Sequence, residues 1–89
     1  MNYPDGVRRA FEDALKLFEA QQRKYGDRPV RTIGDVGCAV EAASVSARLL
    51  AFYLDHAPLG EEKVEDLWLD LMVYGALGLR ERRERTEKV

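Results

Sequence analysis

The chain has 89 residues, of which 46% are hydrophobic and 34% charged, and its formal net charge is −2. A chain this short forms one domain and buries only about 60 to 65% of its unfolded surface, so its core is small and a second subunit would enlarge it. The near balance of acids and bases disfavours a nucleic-acid binder. The absence of a signal-like leader, or of any uncharged apolar run near the roughly 18 residues of a bilayer span, points to a cytoplasmic protein without membrane contact.

Asp5 is placed to cap a first helix running from about 6 to 25, in which Val7, Ala10, Phe11, Ala14, Leu15, Phe18 and Tyr25 recur at helical spacing and form one buried stripe. Gly26 is placed to end it, and the following DRPVRTIGD reads as a connecting loop. Thr32 or Asp35 can cap a second helix, from about 35 to 56, stopped by Pro58 and Gly60. Glu61 and Glu62 favour the start of a third, from about 61 to 84, and the arginines of RERRER suit its negative end, followed by a short charged tail at 85–89. No strand pattern, repeat or low-complexity tract interrupts this single all-α domain spanning 1–89.

The second and third helices differ from the first. Between Val36 and Leu54 the only charges are Glu41 and Arg48, and between Leu67 and Leu79 the only one is Asp70. Helices apolar all round are normally buried all round, and three short helices cannot do this alone, so the expectation is a homodimer or higher oligomer in which helices 2 and 3 of two chains meet. Ala39, Ala42, Ala43, Ala47, Gly75, Ala76 and Gly78 favour close approach, and the two glycines need a packing or ligand reason, since each costs about 1 kcal/mol relative to alanine.

In an antiparallel hairpin turning near Pro58 and Leu59, Arg48 lies level with Leu69 and Asp70. A bidentate Arg48–Asp70 ion pair is one account of the carboxylate at position 70. It leaves Glu41 over, two turns before Arg48 and level with Ala76. Asp66, Asp70 and Tyr74 follow one another at one-turn steps, and two carboxylates so spaced can share a hard divalent cation, which Glu41 reaches if a partner helix or a modest shift brings it near. A cation between carboxylates with an arginine beside it is an arrangement that binds polyphosphate. Taken alone, Asp66 reads first as helix-dipole stabilisation in the first turns of helix 3, as His56 does at the end of helix 2, and only the combination raises the metal reading. Ser44, Ser46 and Cys38 lack a general base, Cys38 reads as a buried thiol, and Trp68 and Phe52 read as core.

Glu65-Asp66, Asp70-Leu71 and Tyr74 together resemble the "ED-x-x-x-DL-x-x-Y-A" segment of MazG-like nucleotide pyrophosphohydrolases and related phage nucleotide-modification-associated proteins. Lys24-Tyr25-Gly26-Asp27 is similar to the "KYGD" that closes their first helix, and Arg48 to the arginine of their second; the likeness covers about residues 10 to 80. It implies an all-α, MazG-like helical bundle in a dimer or tetramer that binds a nucleoside triphosphate with magnesium and hydrolyses it to the monophosphate and pyrophosphate. On this resemblance Asp66 and Asp70 ligate the metal, Glu41 and Glu65 assist it or orient water, and Arg48, Lys24 and Tyr74 contact the nucleotide. The second helix departs from the family's "E-E-x-x-E" by offering Glu41 alone, which leaves the ligand set incomplete and turnover in question. The alternative from another class is a non-enzymatic helical interaction module, of phage type, whose buried charges only fix the packing.

Overall fold

The computed structural model describes residues 2–26, 28–60 and 63–87, with side chains other than those of 28–32 and 87. They form three helices, α1 (Tyr3–Tyr25), α2 (Arg28–Asp55) and α3 (Val64–Glu87), with no strand among the described residues.

The start of α1 lies three residues before the expected one. Asn2, not Asp5, is the cap: its side-chain oxygen accepts the Asp5 N–H at 2.9 Å, and Pro4 in the first turn has no N–H to leave unpaired. Asp5 instead lies inside that turn, paired with Arg8 at 2.9 Å. Gly26 ends α1 as expected, at a φ of 73° that favours glycine, and its N–H donates to the Gln22 carbonyl at 2.7 Å.

The expected loop before helix 2 is largely helical. Helix begins at Arg28, is broken at Gly34 (φ 61°, ψ −165°), and resumes at Asp35, so the reading of Asp35 as a start marks the second piece of a kinked α2. Only a residue free to adopt positive φ permits this break without ending the helix. The Asp35 carboxylate accepts the Val36 N–H at 2.9 Å and pairs with Arg85 at 2.8 Å, which ties the start of the second piece of α2 to the last turn of α3. Beyond Asp55 the chain leaves the helix at His56 (φ 54°) and turns at Gly60 (φ 67°). The described part of α3 begins at Val64; Glu61 and Glu62 lie outside the described residues, as does Asp27. The expected charged tail is helical as far as Glu87.

α2 and α3 form the antiparallel hairpin expected, and α1 packs chiefly on α3. Cys38 of α2 stands against Gly78 of α3, and at the other end the Trp68 indole N–H donates to the Tyr53 hydroxyl at 3.1 Å. Between them Val45, Leu49 and Leu67 are buried, with Leu59, Val64, Leu71 and Tyr74 packed around them.

Outside this seam burial is sparse. On α1 only Ala14 is buried, and Val7, Phe11, Leu15 and Tyr25 are exposed, so the expected buried stripe of helix 1 is mostly uncovered in one chain. Trp68, expected in the core, is 48% exposed because its ring lies across the outside of the hairpin, held by Tyr53. Over Ile33–Asp55, α2 is long and apolar enough to cross a membrane by length and composition, contrary to the span count made from uncharged residues alone. Glu41 and Arg48 lie in the middle of that stretch, where a bilayer would make both costly.

Candidate functional site

No charged side chain is fully buried among the described residues. Asp70 is half-buried, whereas Glu41 and Arg48 are exposed. Arg48 and Asp70 each have polar interactions, so neither is an isolated charge.

The side chain that draws the candidates together is Tyr74. Its hydroxyl is held above its ordinary pKa of 10.0, first by burial and then by the charges of Glu41, Asp70 and Cys38, with Arg48 acting in the opposite sense. Residues from both arms of the hairpin therefore share one electrostatic neighbourhood. Glu41 also contributes to raising the thiol of Cys38, which burial, Glu81 and Asp35 raise more.

Glu41 and Tyr74 form the polar wall of a groove of about 420 Å³ where the end of α1 meets α2 and α3. Phe18 and Tyr25 supply aromatic faces, and Gln21 and Gln22 supply amide donors and acceptors. Aromatic rings stack on a planar base and amides can pair with its edge, so the groove has the chemistry of a nucleoside pocket and a volume suited to a small ligand. Gln21 and Gln22 were not among the candidates from sequence: an amide on an exposed helix face carries no signal until the neighbouring helix is placed.

The remaining candidates lie elsewhere. Lys24 lies 5.2 Å from the centre of the Tyr25 ring, a cation–π contact beside the groove. Glu65 and Asp66 stand exposed in the first turn of α3, and neither is among the charges that act on Tyr74. Among the described residues no group of three or more His, Cys, Asp and Glu is gathered to hold a metal ion. Magnesium that arrives with a nucleotide needs only one or two carboxylates, because phosphate oxygens and water supply the rest. Asp66 and Asp70 stand one helical turn apart on α3.

The two raised groups predict a pH dependence. The folded chain holds the Cys38 and Tyr74 protons more tightly than the unfolded chain, so their contribution is fully present below the ordinary values of 9.0 and 10.0 and is lost as pH rises through the folded values. The urea midpoint of the wild-type chain should fall above about pH 9 and more steeply above about pH 10, and Tyr74→Phe should remove the steeper part. An unchanged profile in Tyr74→Phe would place Tyr74 in water.

No family model, curated protein or solved structure matches the chain.

Proposed function

We propose that the protein is a MazG-like, self-associating helical bundle that binds a nucleoside triphosphate together with magnesium. The observation that carries this reading is the gathering of Glu41, Asp70 and Arg48 around Tyr74, at the wall of a groove with aromatic faces and amides. In it the base lies against Phe18 and Tyr25, with Gln21 and Gln22 along its edge. Asp66 and Asp70 hold magnesium, which when bound offsets the charge of the polyphosphate. Arg48 and Lys24 contact phosphate oxygens, and Glu41 and Glu65 orient water beside them. A protein of this kind works in the cytoplasm, where nucleotides and magnesium are plentiful, and its step, if the acidic set suffices, is release of pyrophosphate.

The test is thermal melting with a panel of nucleoside triphosphates, with and without magnesium. A ligand at a hundred times its Kd adds about 2.7 kcal/mol, which raises Tm by on the order of 10 °C in a chain this small. Asp70→Asn is expected to remove the magnesium-dependent rise while the helical signal persists. No rise with any nucleotide at millimolar concentration would overturn the reading.

The second reading is the non-enzymatic interaction module, and the extent of uncovered apolar surface on α1 and α2 favours it. It expects no magnesium-dependent shift, and it expects Asp70→Asn and Arg48→Met to destabilise the fold alike.

A further inference from the structure

The face of α2 turned away from α3 carries Val36, Val40, Ala43, Ala47, Leu50 and Leu54, at alternating steps of four and three residues. That is a heptad seam, the spacing at which two helices pack along their length. It is uncovered: Val36 is 68% exposed, Val40 62%, Leu50 55% and Leu54 72%, and both alanines are exposed. The opposite face of the same helix, Cys38, Val45 and Leu49, is the one buried in the hairpin.

The order of side chains along the seam is symmetric in size. Turned end for end about a point near Val45, Val36 falls on Leu54, Val40 on Leu50, and Ala43 on Ala47. Such a pattern is complementary to itself under a two-fold axis: each valine meets a leucine, and the two alanine layers lie at the centre, where the backbones come closest. Gly37, Ser44 and Ala51 flank the seam on one side, Ala39, Ser46 and Tyr53 on the other; none is charged, and all but Tyr53 are small. The same axis sets Glu41 level with Leu49 of the second copy and Arg48 level with Ala42, so no like charges are brought opposite each other.

The size of the uncovered surface agrees. The chain exposes 6985 Å². A compact folded chain of 10.1 kDa exposes about 5,300 Å², so roughly 1,700 Å² is in excess. Its radius of gyration is 14.5 Å, against about 12 Å for a compact domain of this length. A stable homodimer buries from about 1,000 Å² per chain upward, so a second copy accounts for the excess.

We infer that two copies pair through α2, antiparallel, along the seam from Val36 to Leu54. The inference takes from the preceding reading only that the chain self-associates, and its test contains no nucleotide. Sedimentation equilibrium at micromolar concentration should give the wild-type chain twice its 10.1 kDa mass. Ala43→Glu places a carboxylate in the central layer and should weaken association on the order of a hundredfold, leaving a helical monomer because position 43 is exposed in a single chain. Adding Ala47→Lys to the same chain should restore the dimer, since antiparallel copies bring Glu and Lys together in both central layers. A wild-type monomer would overturn self-association altogether, and flotation of that monomer with phosphatidylcholine–phosphatidylglycerol vesicles would give the face to a membrane. A dimer that withstands Ala43→Glu would leave self-association standing but overturn this seam. A double variant that stays monomeric while the single one dissociates would overturn the antiparallel arrangement.

Discussion

Replacing Leu67 by alanine is expected to lower the unfolding free energy by about 3 to 5 kcal/mol, the range for deleting most of a fully buried leucine whose surroundings close in only partly. Leu67 is 0% exposed and sits between Val45 and Leu49 of the facing helix, with Val64, Leu71 and Tyr74 around it. A chain of 89 residues has a total stability of about 4 to 13 kcal/mol, so one such cavity removes about a quarter of it at the least. Urea unfolding followed by helical circular dichroism at fixed protein concentration reads this directly. Leu67→Met, which conserves volume, is expected to cost less than about 1.5 kcal/mol and serves as the control. An alanine variant that unfolds with the wild-type midpoint would mean that the hairpin is not held at this point.

Gly37→Ala is the second large effect, and its sign is the informative part. In an ordinary helix interior this change stabilises by about 1 kcal/mol. Here the kink at Gly34 folds Ile33 back over position 37, so a methyl group would collide with the Ile33 Cβ and come within 2.9 Å of its Cγ1. The expected outcome is a loss of about 1 to 3 kcal/mol, as for overpacking elsewhere. Gly75→Ala should behave in the opposite way, gaining about 0.5 to 1 kcal/mol, because a methyl group there meets nothing within 4 Å. Thermal melts of the two variants beside the wild type decide the matter, and two shifts of the same sign would contradict the kinked geometry.

The hairpin was legible in the chain because its signals are local. Pro58 and Gly60 mark the turn, two apolar runs of matching length flank it, and Cys38 lies among small residues that allow Gly78 to approach. The glycines divide on inspection: Gly78 has its packing reason in the Cys38 Cβ, 3.3 Å from where its own would lie, and Gly75 has none within the chain. What the sequence did not disclose depends on where helices dock. Val7, Phe11 and Leu15 have the spacing of a buried stripe, but Phe11 and Leu15 line an open groove beside Met72, Val73 and Ala76 of α3 instead of being covered. Trp68 is apolar enough for a core and large enough to lie across its outside, and composition cannot separate the two. The kink needs Gly34 in a positive-φ conformation, which a glycine permits but does not announce. At the site, Tyr74 and Asp70 share a helical face that spacing reveals; Gln21 and Gln22 come beside them only through the packing of α1.

The docking of α1 on α3 has a consequence during synthesis. α1 leaves the ribosome before the surface on α3 that it rests on has been made. Until α3 has emerged its apolar residues lack their main native partner, and the α2–α3 hairpin, built from contacts close in sequence, can form before α1 docks. The order of folding therefore runs against the order of the chain. An interval of this kind, with Phe11 and Leu15 uncovered, is when a nascent helix is most open to capture by a chaperone or by the finished hairpin of a neighbouring molecule.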